Sequence, residues 1–360
     1  MTTPFPPPQS QLPRMLRVRD GLKDGLGRGI TYLRVSITDQ CNLACVYCKP
    51  RTGSCERMAP PAMSRNEVVQ LVKVFTSLGV RKVRLTGGEP LLRRDLEPLI
   101  AGLSPEVEGR VHLSTNGLLL ARRARGLRDA GLAGINLRLD AADRESFRRL
   151  SGRDGLSRAL AGLDAARAVG LETKLNAVVL RGANEDQILP LARLAQREGV
   201  QIRFIEYMPH TCSTLHQGAT AQPHLANGWR GGRFMAAAEI FQTLQEGLGQ
   251  TLEPEPSLGP EEGPARLFRI PGSAALVGII ATLSTPVCDR CHRVRLSSRG
   301  LLKACIFGNE PVDLLGPLRH HATHEELVRL VRQALTQKVE CPALPLGQSG
   351  LPWAPWQVGG

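Results

Sequence analysis

Aromatic residues are scarce in this 360-residue chain: Phe, Trp and Tyr make up 4% of it. They are also dispersed, which leaves no aromatic platform interleaved with basic residues of the kind that stacks nucleic-acid bases. No run of about 18 apolar residues occurs, so no membrane-spanning helix is expected. The start, MTTPFPPPQSQLPR, carries prolines where a signal peptide would need an apolar stretch, which places the protein in the cytoplasm. Acidic residues are in deficit, 33 against 46 basic ones, for a formal charge of +13. Such an excess calls for an acidic partner such as nucleic acid, anionic lipid or a polyphosphate, or is spent on solvated arginine faces such as Arg122, Arg123, Arg125 and Arg128.

What the chain does have is nine cysteines. Without an export signal they argue for metal ligation or redox chemistry rather than a disulfide framework. Six fall into two groups, Cys41/Cys45/Cys48 and Cys288/Cys291/Cys305, while Cys55, Cys212 and Cys341 stand apart. Hydrophobic residues at 42% are ample for a large core.

Residues 1–20 are proline-rich and aperiodic, and read as a mobile extension. Beyond them, β-branched runs at Tyr32–Ile37, Lys82–Leu85, Val111–Ser114, Gly134–Leu139, Glu172–Leu180 and Gln201–Tyr207 alternate with helical stretches. Ser64 and Glu67 form a capping box before Val68, Val72, Phe75 and Leu78, and Asp95, Asp143 and Asp186 are candidate caps further on. Six strand and helix pairs predict an α/β fold with a parallel sheet, a partial (β/α)6 TIM-type barrel over residues 21–250. The barrel is preferred to a doubly wound sheet because motif-like residues follow successive strand ends: Cys41 to Cys48, Gly87-Gly88-Glu89-Pro90, Asn116-Gly117 and Asp140. Residues 209–232 read as an irregular loop. Residues 251–360 form a C-terminal region with the second cysteine group, helices near Ala236–Leu248 and His324–Gln337 flanking its connection, and a Gly359-Gly360 tail.

Cys41-x3-Cys45-x2-Cys48 supplies three thiolates in eight residues, one short of a closed zinc site. On a four-iron cubane, three cysteines leave one iron open to a further ligand. A glycine-rich turn, Thr86 to Pro90, lets backbone approach a ligand closely. Cys288-x2-Cys291-x13-Cys305 repeats the count of three, followed at once by Arg293-Val294-Arg295, whose guanidiniums suit an anionic acceptor. The alternatives at this level are a zinc knuckle and a zinc ribbon completed by His292 or Cys341.

The CxxxCxxC spacing with Tyr47 before the last cysteine, together with GGEP after the second strand, resembles the signature of the radical S-adenosylmethionine superfamily. With CxxC-x13-C near the end and stretches such as DGLGR, YLRVSITDQCNLACVYC, VRLTGGEPLLRRDL, LSTNGLLL, SGRDG, RFIEYM, CDRCHRVRLSS and CIFG, the chain from about Asp24 is similar to the GTP 3′,8-cyclase family of molybdenum cofactor biosynthesis. That resemblance implies two [4Fe-4S] clusters and S-adenosylmethionine. Cys41, Cys45 and Cys48 would hold the first cluster, with Tyr47, Gly88 and Met208 contacting S-adenosylmethionine. Cys288, Cys291 and Cys305 would hold the second. Arg34, Arg84, Ser114, Lys174, Arg293, Val294 and Arg295 would line the GTP site, Ser114 keeping the hydroxyl of the threonine usual there. Further implications are an electron donor of flavodoxin or ferredoxin type, a downstream pterin-forming enzyme and a homodimer, with neither membrane nor nucleic acid as partner. The chain departs from the family pattern at Arg138, where a serine that contacts S-adenosylmethionine is usual, at Lys49 and at His292; the serine's role is not carried over to Arg138. A peptide-modifying enzyme of the same superfamily and a zinc-containing nucleic-acid binder are the competing readings.

Overall fold

The computed structural model describes residues 5, 21–48, 62–108, 110–208, 233–256, 263–308 and 310–338. The 209–232 loop, the GlyGly tail, Lys49 and Cys55, Cys212 and Cys341 lie outside them, as does the 1–20 extension apart from Phe5. Six strands appear where the β-branched runs predicted them: β1 (Tyr32–Ser36), β2 (Lys82–Thr86), β3 (Val111–Thr115), β4 (Leu132–Arg138), β5 (Glu172–Val179) and β6 (Gln201–Glu206). Each pairs in parallel with the next. Helices cross between them on the outside: α1 (Arg65–Ser77), α2 (Leu96–Leu103), α3 (Leu120–Asp129), α4 (Arg144–Ser151), α5 (Leu156–Ala168) and α6 (Ile188–Glu198), joined later by α7 (Ala237–Leu248), α8 (Leu315–Arg319) and α9 (His324–Thr336).

Among the described residues the C-terminal region adds no separate sheet. Its strands β7 (Glu253–Glu255), β8 (Arg266–Arg269), β9 (Leu276–Ile280), β10 (Arg293–Leu296), β11 (Leu301–Lys303) and β12 (Val312–Asp313) extend the barrel wall on both sides. β10 pairs in parallel with β1 and β9 in parallel with β6, so the order is β12-β11-β10-β1-β2-β3-β4-β5-β6-β9-β8-β7. No ladder joins β12 to β7 among the described residues, and the barrel stays open.

Helix caps follow the sequence in part. Ser64 and Glu67 close the predicted capping box of α1, Asp143 caps α4 through the Ser146 N–H, and Thr323 with Glu326 makes a further box on α9. Asp95 precedes α2 without capping it, because its carboxylate is taken by Arg93 Nε at 2.7 Å. Asp186 lies inside a 3-10 turn and caps nothing. On α1, Val68, Leu71, Val72, Val74 and Phe75 are buried, each such side chain contributing roughly 2 kcal/mol by leaving water. Arg122, Arg125 and Arg128 are solvated as expected of α3, but Arg123 turns inward to pair with Glu97 and to donate to the Leu91 and Arg93 carbonyls. Phe5 rests against Phe241 and Phe268, with ring centroids 5.5 and 6.1 Å away. No described helix is long and apolar enough to cross a membrane.

Candidate active site

The strands alternate side chains between the outer helix layer and the lumen, and the inward set is polar. Arg34 aligns with Arg295 on β10 and with Arg84 on β2, and Arg84 with His112 on β3. One register step earlier, Tyr32 aligns with Arg293 and Lys82. These residues border a cavity of about 300 Å³. Every site residue named from the sequence lines it except Val294: both cysteine groups, Tyr47, Gly88, Met208, Arg34, Arg84, Ser114, Lys174, Arg293 and Arg295. Val294 lies between two inward arginines, so strand alternation sends its side chain to the opposite face, where it is fully buried in the core beside Leu33. Its side chain is not part of the cavity.

The first cysteine group follows the C-terminal end of β1. Its loop is held by the glycine turn after β2: Gly88 N–H donates to the Thr38 carbonyl at 2.8 Å and Glu89 N–H to Gln40 at 2.7 Å. A Cβ on either glycine would collide with that loop, on Gly87 with the Thr38 carbonyl and on Gly88 with Gln40. The close approach these glycines permit is therefore first to the cysteine loop itself. Glu89 is buried and accepts from Thr115 Oγ1 at 2.7 Å, Asn116 N–H at 2.8 Å and Leu91 N–H at 3.0 Å. Burial raises its pKa against those hydrogen bonds. On the other side, Ala44 and Val46 N–H donate to the Ser151 and Leu150 carbonyls at the end of α4. Burial raises the Cys41 and Cys45 thiols, and Cys45 also feels Asp140, Cys48 and Cys41.

The second group precedes the N-terminal end of β10. Since β10 and β1 are parallel neighbours, it sits at the opposite end of the lumen from the first. Cys305 reaches the same end because β11 runs antiparallel to β10 and Cys305 follows Lys303. The CxxC loop is clamped by charges distant in sequence. Arg28 donates from Nη1 to the Cys288 carbonyl at 2.6 Å and from Nε to Asp24 Oδ2 at 2.6 Å. Lys338 Nζ donates to the Cys291 and Arg293 carbonyls at 3.2 and 3.0 Å and lies 3.6 Å from Asp24.

Electrostatics separate the two ends. Burial would raise the Cys291 thiol, but Arg293, Lys338 and Arg295, with a backbone hydrogen bond at Arg293, bring it down to about 7. Tyr32, which burial would also raise, is held at about 8 by Arg84, Arg34 and Lys82. Burial, with Arg295, Arg84 and Arg293 close by, lowers Arg34 to about 9 against the pull of Tyr32. Burial and Arg295 lower Lys303 to about 7. Arg84 donates from Nε to Tyr32 at 2.5 Å, yet its Nη1 and the Nε of Arg295 are buried with no hydrogen-bond partner among the described residues. Lys174 is paired with Glu172 at 2.5 Å. A buried bank of cations with unfilled donors is a receptor for a multiply charged anion, phosphate above all.

Among the described residues no group of three or more His, Cys, Asp or Glu side chains is gathered closely enough for a single metal ion. A cubane cluster asks something different, because each cysteine ligates its own iron. The free thiols of Cys41, Cys45 and Cys48 border the same cavity from one loop and fit that demand, as do those of Cys288, Cys291 and Cys305.

Sequence reading missed several lining groups. Lys82 and Arg203 face the lumen, and the period-2 alternation that selects Arg84 also selects Lys82 two residues earlier. Lys338 carried no local signal, and Arg28, though inside the DGLGR stretch, was given no role, because only the fold brings the two to the CxxC loop. Glu206 is also buried in the wall, accepting from Ala237, Leu283 and Ser284 N–H at 2.7, 2.7 and 3.0 Å, so it ties β6 to α7 and to the approach to the second cysteines.

A family model described as the Radical SAM superfamily matches residues 35–195, and one described as Molybdenum Cofactor Synthesis C matches residues 200–342. The barrel with its CxxxCxxC loop thus defines a radical S-adenosylmethionine protein, a class that carries a [4Fe-4S] cluster and S-adenosylmethionine. The chain is 35% identical to the GTP 3′,8-cyclase of Pelotomaculum thermopropionicum over 88% of its own length and 94% of the relative's. It is 39% identical to that of Corynebacterium glutamicum, over 88% and 83%, and 34% identical to molybdenum cofactor biosynthesis protein 1 of Drosophila melanogaster, over 90% and 55%. It belongs to the GTP 3′,8-cyclase family.

Proposed function

We propose that this chain is a GTP 3′,8-cyclase, a lyase converting GTP to (8S)-3′,8-cyclo-7,8-dihydroguanosine 5′-triphosphate in the first step of molybdenum cofactor biosynthesis. The observation that carries the reading is that two cysteine triads face one lumen from opposite ends, with a row of buried cations between them. Bound at the first triad, the cluster and S-adenosylmethionine supply a 5′-deoxyadenosyl radical able to take a hydrogen atom from the ribose.

The protein's own work is placement. Cys41, Cys45 and Cys48 hold the first cluster, and Tyr47, Gly88 and Met208 contact S-adenosylmethionine. Cys288, Cys291 and Cys305 hold the second [4Fe-4S] cluster at the far end. Arg34, Arg84, Arg293 and Arg295, with Ser114 and Lys174, grip GTP across the lumen, the unfilled Nη1 of Arg84 and Nε of Arg295 taking phosphate oxygens. Burial of Arg84 and Arg295 keeps water from competing for those donors. The reading extends to an electron donor of flavodoxin or ferredoxin type, a downstream pterin-forming enzyme, a cytoplasmic setting and a homodimer.

The test is anaerobic reconstitution followed by incubation with S-adenosylmethionine, dithionite and GTP, with products read by mass spectrometry. 5′-Deoxyadenosine together with the cyclised nucleotide is the expected result. 5′-Deoxyadenosine without cyclised nucleotide, from protein containing both clusters, would reassign the substrate.

A further inference from the structure

Four side chains stand at one level of the lumen on four adjacent strands. Arg295 of β10 is in register with Arg34 of β1, Arg34 with Arg84 of β2, and Arg84 with His112 of β3. Three of the four are arginines, and the fourth, His112, has no part in the reading above. It lines the same cavity and is only 9% exposed. The row stops there, because the β4 partner of His112 is Gly134, where an added Cβ would stand 3.1 Å from His112 Nδ1. The absence of a side chain at 134 gives the imidazole its place.

Among the described residues neither ring nitrogen of His112 makes a hydrogen bond. A polar side chain this buried calls for a partner, and the cavity it borders is where a ligand would supply one. Arg84 Nη1 and Arg295 Nε, in the same row, are in the same condition. Burial, with Arg84 and Lys82 of β2, Lys174 of β5 and Arg203 of β6, lowers His112 to about 2, so the ring is neutral. The carboxylate on that side, Glu172 of β5, is taken by Lys174 at 2.5 Å. A further arginine here would add charge to a bank whose members already oppose one another, as the lowering of Arg34 by Arg295, Arg84 and Arg293 shows. A neutral imidazole extends the row by one N–H donor without adding charge.

We propose that His112 is a further substrate-contacting residue, donating one imidazole N–H to the polyphosphate chain that the neighbouring arginines bind. The assignment rests on the functional reading above and adds to it a contact from β3. Gly134 is then the positioning residue that leaves the ring its space.

The experiment uses the anaerobically reconstituted holoprotein and its His112→Leu and His112→Gln variants, with iron content and denaturation midpoint measured in each. Leucine fills the space without a donor, and glutamine restores an N–H; His112→Met, donor-free and more adaptable, replaces the leucine variant if that one does not fold. Equilibrium dialysis gives the affinities for GTP, inorganic tripolyphosphate and guanosine. His112→Leu should bind GTP and tripolyphosphate about tenfold more weakly, the loss of a hydrogen bond to a charged group. Guanosine affinity should hardly change, and His112→Gln should recover most of the loss. Arg84 Nε donates to Tyr32 at 2.5 Å, so the Tyr32 titration step reports whether Arg84 has moved, and it should stay near pH 8 in every variant. Wild-type affinity for both phosphate compounds in iron-replete His112→Leu overturns the assignment, as does equal weakening on guanosine. A Tyr32 step that shifts together with the loss also overturns it, because His112 would then act through Arg84. Tripolyphosphate binding that depends on His112 in a protein that forms no cyclised nucleotide keeps the contact while the functional reading falls; a wild type that binds neither GTP nor tripolyphosphate overturns both.

Discussion

The two ends of the lumen carry the same donor set, three cysteines each, in opposite electrostatic surroundings. At the first end the cysteine loop is fixed chiefly by neutral backbone contacts, to the glycine turn on one side and to α4 on the other. Its thiols are raised by burial, and the cations against its loop are balanced, Arg138 by Asp140 and Arg299 by Asp39. At the second end the loop is fixed by buried charge, with Arg28 and Lys338 donating to its carbonyls and Asp24 holding both cations, and positive neighbours lower Cys291. One spacing motif thus says which atoms can ligate, while the wall around it sets what approaches: an amino-acid zwitterion suits the balanced end, and a polyanion suits the cationic bank.

The comparison can be broken most severely at the charge clamp. Asp24→Ala leaves Arg28 and Lys338 buried without their carboxylate, which should cost about 3–5 kcal/mol. Chemical denaturation should show that loss, and iron analysis should show depletion centred on the second triad. Gly88→Ala attacks the first end by pressing a Cβ against the Gln40 carbonyl, with an expected loss of about 3 kcal/mol. Here iron should be lost from the first triad while the second is retained; equal depletion of both by either variant would mean that the ends are not held independently.

A gentler probe reads the difference in field. Only three tyrosines are present. Tyr32 at the cationic side should lose its proton near pH 8, whereas burial holds Tyr47 well above the usual phenol range and Tyr207 at about 12. Ultraviolet titration of the tyrosinate band should therefore show one early step, removed by Tyr32→Phe. Its anion is stabilised by Arg84, Arg34 and Lys82, so replacing Arg84 by Met should push that step to higher pH. The smallest effect is expected from Ser64→Ala, a cap lost outside the lumen, at about 1 kcal/mol in denaturation midpoint with iron content unchanged at both ends.

Much of this was legible in the chain because it is written in short-range periodicity. The six parallel strands follow β-branched runs, and the period of two that places Arg34 and Arg84 inward also places Arg293 and Arg295 there while turning Val294 away. Asp95 was misread as a cap because a competing partner, Arg93, sits two residues away and takes the carboxylate. Arg123 was misread as a solvated residue because nothing local announces Glu97 and the Leu91 carbonyl across the helix pair.

The sequence by itself nominated the candidate ligands, since thiol spacing and glycine positions are properties of a few consecutive residues and survive any packing. It also determined the barrel, since alternation and helical period repeat along the chain. Only the tertiary structure decided that the two triads face each other along one lumen, that β10 lies beside β1 and brings a second pair of arginines into register with the first, and that Asp24, Arg28 and Lys338 clamp the second loop. Those contacts join residues up to hundreds of positions apart, and the burial and neighbouring cations that together shift Cys291, Tyr32 and Arg34 exist only once the wall has formed around them.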